Sequence, residues 1–472
     1  MLLHHDDARP ALIDARTGAV ETYAELHRDV EAVKSVLGAD HVLVFLFADN
    51  SVTTVLRYLG CVEHGHPVAL LDAELDPDLA VRLLEHYQPE IVIQPPDRAA
   101  APRDGYVETA HGLWRRDRPR HQVHRDLAVL LTTSGSTGSP RFVRLSHTNI
   151  SANAEAIAES LSLTRAERAI TSLPLHYSYG MSVLHSHLIA GASVVVGKAD
   201  LFSPAFWESL GELGVTSMAG VPLTFHTLQR VGFAEWDLPR LTTLTQAGGR
   251  LEDRLVRYFG DLMRERGGRF YVMYGQTEAA PRMSCLDPDR LPDKLGSVGT
   301  ALAGGELFVR AGDDGPARPG EVGTVCYRGP NVMMGYAENR ADLALGDTTG
   351  DVLDTGDLGF IDEDGYLFVT GRTKRIAKLS GVRVSLDEIE AMLADHGPAR
   401  VVALSGEQLG IYCTWGDDQH FAAVRRELCR VLKVPPRSLR FVHVDALPVL
   451  PNGKPDYRAL AERGLEPTGR CT

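Results

Sequence analysis

Long apolar runs are missing from this chain of 472 residues. Although 44% of it is hydrophobic, no segment approaches the roughly 20 consecutive apolar residues that span a bilayer as a helix. Blocks of Lys and Arg are missing too, and the formal net charge is −13. Phosphate backbones demand a basic footprint, so nucleic acid is excluded as a partner. Cysteine is scarce: the six at positions 61, 285, 326, 413, 429 and 471 form no CxxC pair, and no His stands at zinc-finger spacing. That excludes a disulfide framework and a structural metal and leaves free, buried thiols. There is no internal repeat and no long low-complexity tail. The opening "MLLHHDDARPALID" lacks the features of signal and transit peptides, which predicts a soluble, cytoplasmic chain with no membrane partner.

What is present is alternation. "VLVFLFADN" reads as a buried strand, "SVTTVLRYLGCVEHG" as a helix ending at glycine, and "HPVALLD" as the next strand, a βαβ unit. "ERAITSLPL", "GASVVVG", "SMAGVP", "LTTLTQAGG" and "RFYVMYG" are further strands running into Gly or Pro. In open α/β sheets ligands sit at such carboxyl ends. After about residue 300 the spacing becomes that of hairpins, in "GELFVRAGDDGPARPGEVGTVCYRG" and "GFIDEDGYLFVTGR". From residue 373 a compact α+β module follows, with "RVSLDEIEAMLADHG" and "FAAVRRELCRVL" as helices and "ARVVALSG" and "LGIYCTWG" as strands. The expected fold class is α/β: a large N-terminal domain of βαβ-type sheets with a small antiparallel region (residues 1–372), then a small α+β C-terminal domain (373–472).

One stretch, "LTTSGSTGSPRFVRLSH" from Leu131 to His147, stands out by composition. By itself it fits a flexible Gly/Ser linker as well as a loop between strand and helix whose N–H and hydroxyl groups cradle a polyphosphate. It is not a Walker A loop, since GxxxxGK[ST] is missing.

Other segments join it in a fixed order: "TSGSTGSP", "LPLHYSYG", "YGQTE", "DTGDLGFIDEDGYLFVTGR" and "PNGKPDYRAL". Together they make the chain resemble, over nearly its whole length, the AMP-forming adenylating superfamily of acyl-CoA synthetases, peptide-synthetase adenylation domains and luciferases. The resemblance implies ATP and magnesium as cofactors. Thr133, Ser134, Gly135, Ser136, Thr137 and Gly138 would hold the β- and γ-phosphates, and Glu278 would bind the bridging magnesium, a role suited to a hard carboxylate oxygen. Thr277 would touch the α-phosphate and Tyr274 would pack on adenine, within a motif that includes Gly275 and Gln276. Gly248 and Gly249 would let the backbone pass close to the base. Asp357 would accept from the ribose hydroxyls, supported by Arg372. Lys454 would be the catalytic cation, stabilising charge that builds on the α-phosphate in the transition state. The C-terminal domain would be a mobile lid with its hinge at Lys374, and Lys378 and Gly381 would approach the site in a second pose.

The substrate pocket implied by the resemblance involves His176, Tyr177, Ser178, Tyr179 and Met273. Relatives that activate α-amino acids carry an Asp in this neighbourhood to hold the ammonium. None appears in "LPLHYSYGMSVLHSH", which points to an aryl or fatty carboxylate without an α-amino group. His185 and His187, two apart on a helix, cannot share one face, so at least one is structural. Arg141 and Phe142 depart from the family's usual Pro-Lys-Gly loop ending; Arg keeps a positive charge there, whereas Phe adds bulk. No carrier-protein motif follows Lys454, so a free-standing enzyme would pass its acyl group to CoA, to a separate carrier protein or to another nucleophile. A few relatives are diazotases, which activate nitrite for transfer to an aryl amine, and the unusual loop and the His-bearing aromatic pocket keep that alternative open. A third alternative, a catalytically inactive nucleotide-binding protein, sits poorly with intact Glu278, Asp357, Arg372 and Lys454.

Overall fold

The computed structural model describes residues 2–38, 40–95, 105–116, 122–132, 141–197, 200–312, 315–372, 375–379, 382–404, 408–432, 434–450 and 454–465. Its contacts divide the chain into two compact units. The first holds 1–295, 299–307 and 327–353; the second holds 296–298, 308–326 and 354–472.

The first unit contains two large sheets. One has nine strands, six of them parallel neighbours in the order Arg269–Gly275, Thr243–Gln246, Ser217–Gly220, Arg168–Ile170, Ser193–Val196 and Pro10–Asp14. Antiparallel strands finish both edges, Arg282–Leu286 and Thr300–Ala301 on one side and Val20–Thr22 on the other. The second sheet has eight strands, with Leu127–Thr132, Val68–Asp72, Val44–Ala48 and Ile91–Ile93 parallel at its centre.

The βαβ unit read from the sequence forms as expected. All five residues of Val44–Ala48 are buried, as befits a parallel strand covered on both faces. Ser51 caps the helix Val52–Glu63 by accepting from the Thr54 N–H, and the chain returns to pair Val44 beside Val68. A shared hydrophobic core ties the sheets together, drawing Leu12 and Val194 from the first, Val44 and Val129 from the second, and Leu59 and Leu184 from helices.

A four-stranded sheet in the order Glu306–Arg310, Gly323–Arg328, Val352–Ile361, Leu367–Arg372 has most of its residues in the second unit. A two-stranded hairpin (Ile376–Leu379 with Val382–Ser385) and a three-stranded sheet (Ala399–Leu404, Gln408–Cys413, Leu439–His443) follow. The helix expected from "RVSLDEIEAMLADHG" starts only at Leu386, because the β-branched residues before it pair in the hairpin. Cys61, Cys285, Cys326, Cys413 and Cys429 are free thiols. Among the described residues no helix is long and apolar enough to cross a membrane, and no cluster of three or more His, Cys, Asp or Glu could hold a metal by itself.

Candidate active site

The strand Arg269–Gly275 delivers "YGQTE" to the carboxyl edge of the first sheet. Gly275 is required there: a Cβ at this position would lie 1.9 Å from the Pro281 carbonyl oxygen. Thr277 opens a single turn, Thr277–Ala279, and its hydroxyl stands 3.1 Å from that of Ser178. Ser178 begins the helix Ser178–Ile189, which has no side-chain cap and no acidic residue in its first turn. The positive end of its dipole is therefore directed at Thr277, a setting that favours an anion.

Glu278 is held at two points. Its carbonyl accepts from the Met333 N–H at 2.9 Å, and its carboxylate accepts from the Tyr336 hydroxyl at 2.8 Å. The Arg141 guanidinium lies 4.0 Å over the Tyr336 ring. Phe142 packs edge-on against Phe45 and Tyr87, 5.9 and 4.8 Å between centroids, and is fully buried. The two residues that depart from the usual loop ending are thus placed differently, one stacked on the ring whose hydroxyl holds Glu278 and the other filling the core of the second sheet.

Thr133, Ser134, Gly135, Ser136, Thr137 and Gly138 lie outside the described residues, as do Lys374, Gly381 and the Lys378 side chain. The elements on either side of the glycine-hydroxyl run correct one expectation. The run does not lead straight into a helix: Phe142–Ser146 is a strand, all five residues buried, antiparallel to Leu127–Thr132. The helix His147–Ser160 starts afterwards, capped by Ser146. "RFVRLS" pairs as a strand because its apolar side chains have core on both faces of the sheet.

Gly248, at φ +84°, abuts Tyr177; an added Cβ would come within 2.6 Å of the tyrosine oxygen. Gly249 accepts from Gln246 through its carbonyl. Tyr274 is half-buried against a cluster of Ala279, Met283 and Tyr327, and the buried Nε2 of Gln276 meets no partner among the described residues. Tyr179 and Met273 line a cavity whose wall also includes Ile157, Ser182, His187 and Arg282. His176 stands 3.8 Å from Asp72, a carboxylate from a strand more than a hundred residues earlier, and burial lowers its pKa.

His185 and His187 occupy opposite faces of their helix, as their spacing requires. His185 pairs with the Tyr58 hydroxyl at 2.7 Å and His187 with the Ser217 hydroxyl at 3.1 Å. Burial drives their pKa values down to about 3 and about 4. The unfolded chain therefore binds two protons below pH 6.5 that the folded chain refuses. Stability from this source is complete above pH 6.5 and is lost as pH falls toward those values, by up to about 1.4 kcal/mol per pH unit for each ring. Urea midpoints at pH 7.5 and 5.5 should show the fall, and it should shrink in His185→Phe; equal falls in both proteins would overturn the assignment.

In the second unit Asp357 and Arg372 face each other across a hairpin, Nε to Oδ1 3.0 Å, with the Asp357 side chain only 7% exposed and that of Arg372 64%. Near Lys454 the Leu450 N–H donates to the Lys454 carbonyl at 2.7 Å and Val449 bridges Pro455. The helix Tyr457–Leu465 follows. Arg375 lies 3.7 Å over the Tyr457 ring and pairs with Asp387 and Glu390, while the Tyr457 hydroxyl donates to Glu390 at 3.0 Å. Tyr336, Arg282 and Arg375 went unread in the sequence. A lone arginine in the buried strand segment "PRMSCL" was the one available signal.

The family described as AMP-binding enzyme matches residues 4–337. The chain is 30% identical over 365 residues to a probable CoA ligase, CCL9, of Humulus lupulus, covering 72% of this chain and 66% of that one. It is also 30% identical over 367 residues to an oxalate–CoA ligase of Arabidopsis thaliana, covering 72% and 68%. These alignments thus span about two thirds of each curated relative's length. The o-succinylbenzoate CoA synthetase of Bacillus subtilis, solved with its acyl-adenylate intermediate and with ATP and magnesium, shares the fold. The TM-scores are 0.77 and 0.75 at 22% identity, over 98% and 97% of this chain and 96% and 97% of those chains.

Proposed function

The chain belongs to the AMP-binding enzyme family, and from that premise we propose that it is an ATP- and magnesium-dependent, AMP-forming ligase. It adenylates a carboxylate that lacks an α-amino group and passes the acyl group to CoA or to a separate carrier protein. One observation carries the reading: a hydroxyl pair, Thr277 and Ser178, adjoins a carboxylate, Glu278, that is oriented by Tyr336 with Arg141 stacked behind. These residues come from four distant stretches of sequence and converge beside the end of a helix suited to an anion. No Asp or Glu lines the described wall of the cavity beside Tyr179, and Asp72 near His176 is paired with that imidazole, which supports a substrate without an ammonium group.

In the first step a substrate carboxylate oxygen attacks the α-phosphorus, the new O–P bond forms in line, and the bond to pyrophosphate breaks. Thr277 steadies the α-phosphate, residues 133–138 hold the β- and γ-phosphates, and Tyr274, Gly248 and Gly249 border the adenine. Asp357 and Arg372 hold the ribose. Lys454 supplies positive charge as the phosphorane oxygens gain negative charge. Glu278 would hold the magnesium ion, which when bound neutralises phosphate charge; one carboxylate suffices because the phosphates furnish further oxygens. In the second step a thiol sulfur, losing its proton to solvent, attacks the acyl carbon to form the C–S bond, and AMP leaves with the electron pair of the broken C–O bond. Residues 373–472 act as the mobile lid, with Lys374 at the hinge and Lys378 and Gly381 serving the second pose.

Pyrophosphate and AMP release, followed across a panel of aryl and aliphatic acids with and without CoA and beside nitrite plus an aryl amine, tests the proposal. AMP formed only with nitrite and amine would replace it with the diazotase reading. Within the panel, Asp357→Ala should raise KM for ATP roughly 10- to 100-fold, the effect of losing hydrogen bonds to a charged acceptor. Its melting temperature should barely move, since the exposed partner Arg372 makes the ion pair a weak contributor to stability. An unchanged KM would remove Asp357 from the ribose site.

A further inference from the structure

Arg282 is a cation almost wholly removed from water, 3% exposed. It lines a cavity beside the helix Ser178–Ile189. Ile157, Leu161, Leu163 and Met273 make the apolar side of that cavity. Most of its hydroxyls and its histidine are already engaged. Ser182 donates to the Tyr179 carbonyl at 2.7 Å and Ser186 to the Val183 carbonyl at 3.3 Å. His187 bonds Val183 and Ser217, and the Tyr179 hydroxyl bonds Thr245. Among the described wall residues Arg282 has a fully buried polar atom, its Nε, that meets no partner.

Among the described residues no ion pair between this guanidinium and a carboxylate is seen; the groups that chiefly favour its charge are Tyr179, Tyr177 and Cys285. It stacks 3.7 Å over the Tyr179 ring, which offsets part of the cost of a buried charge but supplies no acceptor for Nε. The backbone fixes its direction. The Arg282 N–H donates to Asn153 at 3.1 Å, and its carbonyl accepts from Asn153 at 2.7 Å and from Asn331 at 2.9 Å. The hydroxyl pair is linked to this wall through the chain: Ser178, which meets Thr277, is followed directly by Tyr179, a wall residue whose ring lies under Arg282. About 20 Å³ is open to the centre of a water-sized sphere, room for a small terminal group.

We propose that Arg282 binds a second carboxylate, at the end of the substrate remote from the reacting one, so that the preferred acid is a dicarboxylic acid with a short apolar body. This rests on the reading of the chain as an adenylating ligase. Guanidinium suits the task because its fork matches a carboxylate and stays charged when buried.

The test uses the full chain with ATP and magnesium, offered aliphatic diacids from malonate to suberate and the benzene dicarboxylates, each beside its monomethyl ester. Wild type should favour the best diacid over its ester by roughly 30-fold or more in kcat/KM, the scale set by losing one partner of a buried charge pair. Arg282→Met should erase that preference while still releasing pyrophosphate with the ester, and Arg282→Lys should keep part of it. Esters used as well as diacids by wild type, or Arg282→Met lowering both by one factor as a purely structural cation would, overturns the proposal. Should no acid release pyrophosphate, the ligase reading falls by itself, and calorimetry of diacids with wild type and Arg282→Met decides this one. Diacid binding confined to wild type supports it, and no binding to wild type overturns it.

Discussion

Lys454→Ala is expected to form acyl-adenylate about 10³-fold more slowly than wild type while binding ATP almost as well. In-line transfer to a carboxylate moves negative charge onto the non-bridging oxygens of the α-phosphate. A cation delivered to those oxygens lowers the barrier only to the extent that it interacts more strongly with the transition state than with bound ATP. Removal of single preorganised donors costs about 10²- to 10³-fold, and a full positive charge on a transferring phosphoryl group has contributed 10³ or more in related chemistry. The backbone bonds between Leu450 and Lys454 and between Val449 and Pro455 are left in place by the substitution. The variant should therefore melt with wild type. Two readouts separate the role from a general defect. Pyrophosphate formation from acid and ATP should collapse, whereas thioester formation from a supplied acyl-adenylate should persist within a few-fold, because the proposed second pose would rely on Lys378 and Gly381 rather than on Lys454. Pyrophosphate formation within about tenfold of wild type would remove Lys454 from catalysis.

The contrast between what the sequence disclosed and what it withheld follows from range. The βαβ unit at 44–72 and the hairpin at 352–372 were legible because period, cap and turn residues lie within a few positions of one another. Gly275 and Gly248 were legible as punctuation, though not their reasons, the Pro281 carbonyl and the Tyr177 hydroxyl. "RFVRLS" was passed over as a strand because its pairing depends on Leu127–Thr132 beyond the glycine-hydroxyl run. Tyr336 and Arg282 were invisible for a stronger version of the same cause. Tyr336 meets a carboxylate 58 positions away, and Arg282 stacks on a ring more than a hundred positions earlier. Neither contact leaves a local period. The motif residues were read through resemblance, and the positioning residues around them required coordinates.

Glu278→Gln tests the most connected of those motif residues. The amide keeps the shape of the carboxylate and can still accept from Tyr336 at the same oxygen, so the turn Thr277–Ala279 and the Met333 contact should survive. What is lost is one negative charge. A magnesium ion held between this side chain and the phosphates would lose its protein ligand, and the magnesium concentration giving half-maximal pyrophosphate release at fixed ATP should rise, with kcat/KM for MgATP falling about 10²- to 10³-fold. Tyr336→Phe removes only the donor that orients the carboxylate and should cost less, about 10- to 100-fold, in the same assay. Raising magnesium should recover part of the activity in both variants, and more fully in Tyr336→Phe, because there the ligand remains and only its orientation is relaxed. If Glu278→Gln kept the wild-type magnesium profile, the carboxylate would be acting on the turn rather than on the ion. In that case Tyr336→Phe should match it in melting temperature and activity alike, since both would then report one structural hydrogen bond.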